Sequence, residues 1–308
     1  MSISRTLLLK ASKSPFLNRQ VSQRSFVKRA VKKFMPGEAP SDALDAAVEL
    51  AKDGRGAVLT KLGENLTSLD EAELVCDHYE GIFDQILARR LKSVVSVKPT
   101  QLGLDLSMPK CAEYLEVLAA KAESMNSFLW VDMEDSSYVD RTLELYRGLR
   151  AKHKRVGVCL QAYLHRTPAD LKALLPITPA IRLVKGAYAE PAHVAHAAKR
   201  DTDLAYYELA TRMLEAAPGG SLAVFGTHDM GMLSRIAARA RDAKVAAGAW
   251  EIHMLYGIRD ADQQKLCADG HTVRTLISYG SSWFPWYVRR LAERPANVWF
   301  VVRSMLPG

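Results

Sequence analysis

The chain has 308 residues, 48% of them apolar, with a formal charge of +8. That is an ordinary globular composition, long enough for two average domains or one α/β barrel. The charge is confined to one end: residues 1–37 hold nine Lys and Arg and no acid, leaving 33 basic against 34 acidic groups beyond them. The body is therefore neutral and lacks the basic face of a nucleic-acid-binding fold, so nucleic acid is not an expected partner.

Four scattered cysteines (Cys76, Cys111, Cys159 and Cys267) show neither C-x-x-C nor paired Cys/His spacing. This excludes a disulfide framework and a structural zinc site, and makes a reducing cytosol the default location. No apolar run reaches about 18 residues, so no membrane span is expected.

In chain order, the acid-free start has two readings, an organelle transit peptide or one or two basic amphipathic helices. The second is preferred: Val27, Val31 and Phe34 fall at helical spacing and no cleavage boundary follows. Such a segment suits peripheral contact with an anionic membrane surface. Pro36–Pro40 reads as a break, dividing a basic N-terminal helical segment (1–40) from a catalytic domain (41–308). Ser41 is the expected N-cap of the next helix, with Leu44, Ala47, Val48 and Ala51 on one face and Gly54 at its end.

From there, short apolar runs alternate with helical-period segments about every 25 to 40 residues. The runs are Ala57–Leu59, Val94–Val97, Phe128–Val131, Val156–Leu160, Ile181–Val184, Leu222–Phe225, Ile252–Leu255 and Val273–Ile277. Each is predominantly apolar, as strands buried on both faces should be. Eight such alternations predict an α/β fold of the closed (βα)8 type. An open doubly wound sheet would want a G-x-G-x-x-G turn, which is absent.

Polar residues gather where the runs end: Lys98-Pro99-Thr100, Asp132 to Asp135, Gln161-Ala162-Tyr163, Lys185 to Tyr188, Gly226 to Asp229 and Tyr256-Gly257. In a barrel these share the C-terminal rim, where barrel active sites lie. A last feature follows the final run, W-F-P-W-Y-V-R-R-L-A-E-R (283–294). As a helix it sets Glu293 one turn from Arg289 and Arg290, and the two guanidinium forks suit a small carboxylate.

Three chemistries compete for this rim. A metal-dependent hydrolase would use Asp132, His228 and His253, although each histidine stands alone and His253 reads better as a hydrogen-bonded interior residue. A Schiff-base aldolase would use Lys98 or Lys185. A flavin enzyme oxidising an amine would need cations for a carboxylate and donors beside the flavin, the redox chemistry being the cofactor's.

Seven fragments in order bear on that choice: V-K-P-T-Q-L-G (97–103), V-D-M-E-D (131–135), L-Q-A-Y-L (160–164), R-L-V-K-G-A-Y (182–188), T-H-D (227–229), M-L-Y-G (254–257) and Y-V-R-R-L-A-E-R-P (287–295). Together they closely resemble the proline dehydrogenase family in its bacterial monofunctional form. The resemblance runs from about residue 40 to the C-terminus and, more loosely, over the N-terminal helices. It implies a distorted (βα)8 barrel holding FAD at its rim, with the final helix over the mouth. L-proline would be oxidised at its C5–N bond to Δ1-pyrroline-5-carboxylate, and electrons would leave to a membrane quinone. No metal is implied.

The resemblance also implies roles by position. Lys98, Arg289 and Arg290 would bind the substrate carboxylate, Asp132 would steady Lys98 and the charge balance, and Glu293 would hold an arginine. Arg182 would face flavin N5 and Gln161 would hydrogen-bond the ring. Met133, Lys185, Gly186, Ala187, Thr227 and His228 would line the cofactor, with Gly186 permitting close backbone approach. Tyr188 and Leu255 would shape the substrate pocket. Two departures stand out. Ala189 replaces a larger residue found in some members, and Leu276 in R-T-L-I-S-Y-G replaces the expected substrate-facing tyrosine. The second opens the choice between proline and a related cyclic amino acid such as hydroxyproline.

Overall fold

The computed structural model describes residues 31–63, 66–284 and 286–288. Eight parallel strands close in sequence order, β1 (Gly56–Lys61), β2 (Ser93–Val97), β3 (Leu129–Val131), β4 (Val156–Gln161), β5 (Ala180–Val184), β6 (Leu222–Gly226), β7 (Trp250–Leu255) and β8 (Val273–Tyr279). Closure is by β1 against β8, from Gly56 opposite Arg274 to Lys61 opposite Tyr279. Around them run α1 (Pro40–Ala51), α2 (Leu69–Ala88), α3 (Met108–Ser124), α4 (Val139–Arg150), α5 (Thr167–Leu174), α6 (Lys199–Ala216), α7 (Met230–Asp242) and α8 (Asp260–Ala268). The α/β barrel expected from the sequence is the observed fold.

Side chains alternate across each strand, and the period of two sorts the core into two parts. Leu59, Val95, Val131, Ile181, Phe225 and Ile252 pack outward under the helices. Val58, Val94, Trp130, Ala180 and Val224 pack with each other inside the barrel, joined by Phe128, Leu222 and Leu276. Because the inward set is filled by side chains, the barrel is a plug, and its usable space lies at the rim.

All eight expected strands are present; β7 differs by beginning two residues early, at Trp250. The sequence hid this because Glu251 is polar. Its carboxylate accepts from Arg274 Nε at 2.8 Å and lies 3.1 Å from His253 Nε2. Despite burial, which raises it, the His253 hydrogen bond and Arg274 hold Glu251 down at about 2. Burial brings His253 down to about 4, so the neutral ring donates through Nε2 and serves as the interior histidine expected.

Two local expectations on α1 need correction. Its N-cap is Ala39, not Ser41: Pro40 opens the helix, and Asp42 accepts the Ala39 N–H at 2.9 Å. The buried face is Ala43, Leu44, Ala47 and Leu50, while Val48 and Ala51 point to solvent. Gly54 does end this region, at φ +85°.

The last stretch before α1 joins the far end of the chain. Val31, Phe34 and Met35 pack with Leu62, Trp283, Phe284, Trp286, Tyr287 and Val288. Trp283 Nε1 donates to Glu38 Oε1 at 2.9 Å, and the Lys33 carbonyl sits where a Cβ on Gly257 would be. Residues 1–30, including Val27, and Arg289 to Gly308 lie outside the described residues. All four cysteines are free thiols. No helix among the described residues is long and apolar enough to cross a membrane.

The opposite end of the barrel carries an ionic clamp. His153, just before β4, meets Glu123 through Nδ1 at 2.7 Å and Glu116 through Nε2 at 2.9 Å, both on α3. Burial opposes its charge, but the two carboxylates outweigh burial and raise its pKa above 6.5. Lys152 and the Lys154 amide share the same carboxylates. A raised histidine stabilises fully below its unfolded value and ceases to do so as pH climbs through the native one. Replacing His153 by Gln should therefore lower the thermal midpoint more at about pH 5.5 than at about pH 9. An equal loss at both would show that the clamp works by packing alone.

Candidate active site

The ends of β2, β3 and β4 are laced together by one buried residue, Glu134. Lys98 is half-buried and caps the short 3-10 turn Pro99–Leu102. Glu134 accepts from the Thr100 amide at 3.1 Å and from Thr100 Oγ1 at 2.8 Å. Its own backbone carbonyl accepts from Gln161 Nε2 at 3.1 Å. The Gln161 amide is thereby oriented, and its Oε1 is buried with no partner among the described residues. An acceptor left unmet in a buried place is costly unless something else meets it.

Deeper in the mouth lies the charged centre. Arg182, only 2% exposed, shares the inward face of β5 with Ala180. Its Nη2 donates both to Asp132 Oδ1 and, at 2.9 Å, to Ser96 Oγ. The guanidinium lies 5.1 Å from the Trp130 ring centre, within range for a cation–π contact. Nη1 is buried and has no partner among the described residues. Cys159, opposite Arg182 in register, is a buried thiol pushed up by burial, an effect the guanidinium only partly offsets.

The β5 and β6 ends form a second group. Lys185 Nζ is held between Asp203 at 2.5 Å and Asp229 at 3.1 Å. Burial pushes both carboxylates upward, but Lys185 and Lys199 hold Asp203 low, and the Met232 amide together with Lys185 holds Asp229 low. Asp229 also caps α7 through the Met232 amide at 3.1 Å, while its own amide donates to Thr227 Oγ1. His228 Nε2 accepts the Leu255 N–H at 2.9 Å. That nitrogen carries no proton, so the neutral ring keeps its proton on Nδ1. Met133 is buried, and Ala187 and Tyr188 are half-buried beside it on the rim. Gly186 adopts φ +115°, and its missing Cβ would fall inside the Tyr163 ring. The close approach that this glycine permits is thus of an aromatic face.

On β7 and β8, Leu255 and Leu276 are half-buried neighbours in register. Ser278 is on the same inward face as Leu276, two residues on. Tyr279 points the other way, outward, with its hydroxyl 2.8 Å from His78 Nε2. It cannot fill the space of the missing tyrosine.

The structure thus gathers Lys98, Asp132, Met133, Gln161, Arg182, Lys185 to Tyr188, Thr227, His228 and Leu255 on one rim. Arg289, Arg290 and Glu293 lie outside the described residues. Sequence reasoning missed the Asp132–Arg182 pair and its supports Ser96 and Trp130. Strand alternation was the available signal, since each lies two residues before a rim residue already chosen, Lys98 and Asp132. Glu134 and Tyr163 lay inside quoted fragments but carried no pattern that would reveal their partners.

Comparison with known proteins places the chain in a family. The family model for proline dehydrogenase matches residues 43–303. The chain belongs to the proline dehydrogenase family. Curated relatives include proline dehydrogenase 1 of Bacillus subtilis strain 168, 34% identical over 89% of this chain and 90% of the relative. Proline dehydrogenase of Deinococcus radiodurans is 35% identical, with 90% of each chain covered. Among solved structures, proline utilization A from Bdellovibrio bacteriovorus superposes with a TM-score of 0.81 at 24% identity. That match covers 87% of this chain and 33% of the longer protein, and it establishes the shared barrel.

Within this proline dehydrogenase family fold, Gly186 is a backbone position of the rim that both φ and space restrict. Gly186→Ala should cost about 1–3 kcal/mol in denaturant unfolding, from backbone strain and displacement of Tyr163. Gly148→Ala, on the exposed face of α4 with open space around it, is the control and should be neutral or slightly stabilising. Equal behaviour of the two variants would contradict this account of the rim.

Proposed function

We propose that the chain oxidises L-proline at its C5–N bond to Δ1-pyrroline-5-carboxylate, with FAD at the barrel rim and a quinone as electron acceptor. The observation that carries the reading is that two of the buried polar atoms without a partner among the described residues, Arg182 Nη1 and Gln161 Oε1, stand on neighbouring strands. A cationic donor and a neutral acceptor on neighbouring inward strands fit the polar edge of an isoalloxazine, which offers acceptors and one N–H. The residues present therefore fit the group.

Arg182 and Gln161 would hold the ring, with Met133, Lys185, Gly186, Ala187, Thr227 and His228 around the rest of the cofactor. A bound flavin supplies the two-electron oxidant, and the protein does the remainder by binding and charge. Lys98, with Arg289 and Arg290, would take the substrate carboxylate through charge-assisted hydrogen bonds. The same cations disfavour a protonated substrate amine, so its nitrogen lone pair is available as C5 loses hydrogen. Asp132 limits that excess of positive charge by pairing with Arg182.

The competing chemistries fit less well. Lys185 is engaged by two carboxylates, the reverse of the desolvated lysine a Schiff base requires. His253 is tied to Glu251 and His228 to a backbone amide. Among the described residues no group of three or more His, Cys, Asp or Glu is arranged to hold a metal. The acid-free N-terminus supports a cytoplasmic protein that touches the inner membrane face, where a quinone would be met.

Purified protein carrying FAD should be yellow and should bleach when L-proline is added without oxygen. A protein that binds no flavin, or whose flavin stays oxidised, would sink the proposal.

One observation favours a second substrate. With Tyr279 turned outward, the place beside Leu276 is not refilled by it, and Ser278 lies on the same face. Steric relief favours a 4-hydroxyl group there, while burying it unpaired would cost about 1–3 kcal/mol unless Ser278 or water meets it. Proline should remain preferred, with weak discrimination against trans-4-hydroxyproline. Leu276→Tyr should raise the ratio of kcat/KM for proline over hydroxyproline; an unaltered ratio would mean that position 276 does not face substrate.

A further inference from the structure

The rim contains one hydroxyl that the proposed chemistry leaves without a task. Ser96 is fully buried on β2, two residues before Lys98 and on the same inward face as Val94. Its Oγ accepts from Arg182 Nη2 at 2.9 Å, and the same nitrogen donates to Asp132 Oδ1. The two hydrogens of Nη2 are thus both used, one on each partner.

A guanidinium beside a carboxylate ordinarily prefers a two-point fork, with two nitrogens on two oxygens. Here the pair makes its contact through one nitrogen and one oxygen, and Nη1 is left over. Trp130 lies against the guanidinium at 5.1 Å and limits its tilt, but a ring face does not stop rotation within the guanidinium plane. The Ser96 hydroxyl does: turning a second nitrogen toward Asp132 would take Nη2 away from Ser96.

We propose that Ser96 is a positioning residue that holds the Arg182–Asp132 pair to a single point of contact and so keeps Arg182 Nη1 for the cofactor. The inference rests on the reading of Arg182 given above. Without the hydroxyl, the guanidinium rotates into a fork with both oxygens of Asp132. Its charge is then spent on Asp132, and Nη1 no longer stabilises negative charge developing on a reduced ring.

The test uses the full-length protein loaded with FAD. Ser96→Ala should move the flavin potential to a more negative value and slow anaerobic reduction by L-proline about tenfold, with little change in the proline concentration needed for half-maximal rate. In the Arg182→Lys background the same change should have no further effect on the potential, because an ammonium cannot form a fork. A structure of Ser96→Ala should show two contacts between Arg182 and Asp132. The proposal is overturned by a native potential and reduction rate in Ser96→Ala, by an equal shift in both backgrounds, or by a persisting one-point contact. Arg182→Met serves separately: an unshifted potential there would remove the role of Arg182 itself, whatever Ser96 does.

Discussion

A guanidinium cannot be sealed inside a barrel without partners, and the upper interior of this one is arranged around giving them to Arg182. Desolvating such a charge costs several kcal/mol, which an opposite charge and additional hydrogen bonds must offset. Asp132 supplies the charge, Ser96 the second acceptor and Trp130 an electron-rich face. These residues come from strands β2, β3 and β5, which only a closed parallel sheet brings to one level. Below them Trp130 meets the edge of His253 at 5.6 Å, and His253 leads to Glu251 and Arg274. The lower charges are answered from within; of the upper ones, Arg182 keeps one nitrogen with no partner among the described residues.

That contrast separates structure from site. In the Glu251, His253 and Arg274 group the charges are compensated, although His253 Nδ1 has no partner among the described residues, and the group lies toward the strand starts, where conservation of structure serves stability. The Arg182 group and Gln161 retain unmet atoms and lie toward the strand ends, where barrels do chemistry. Lys185 lies between these extremes. Its two carboxylates hold it in place, and through Asp229 they tie it to the start of α7 and to Thr227.

Much of this was legible in the chain because strands buried on both faces are predominantly apolar. Runs such as Val94–Val97 and Val156–Leu160 announce themselves, and eight of them leave few folds to choose from. The rim was legible for the complementary reason: polar residues at the end of an apolar strand have nowhere to go but the mouth. What stayed hidden depended on partners far away in sequence. Glu251 looks like the wrong residue for a strand until Arg274 is beside it. Ser96 looks like filler until Arg182, 86 positions later, donates to it. Local rules also misled at α1, where proline at the first helical position outranked the serine after it and moved the cap to Ala39. The family resemblance, not periodicity, is what assigned chemistry to the rim residues.

The contact between the two ends of the chain has a consequence for how the molecule comes into being. Val31 to Glu38 precede all eight strands in the sequence, yet their partners Trp283, Phe284, Trp286, Tyr287 and Val288 follow them all. The seam between β1 and β8 spans the same interval. On a translating ribosome the earlier segment must therefore wait, with its apolar side chains uncovered, until all eight strands have emerged. Contacts of such long sequence separation form slowly and leave partly folded chains open to aggregation. The mouth of the barrel is thus the last part of the protein to be finished, and a half-made chain has no place for a substrate to dock.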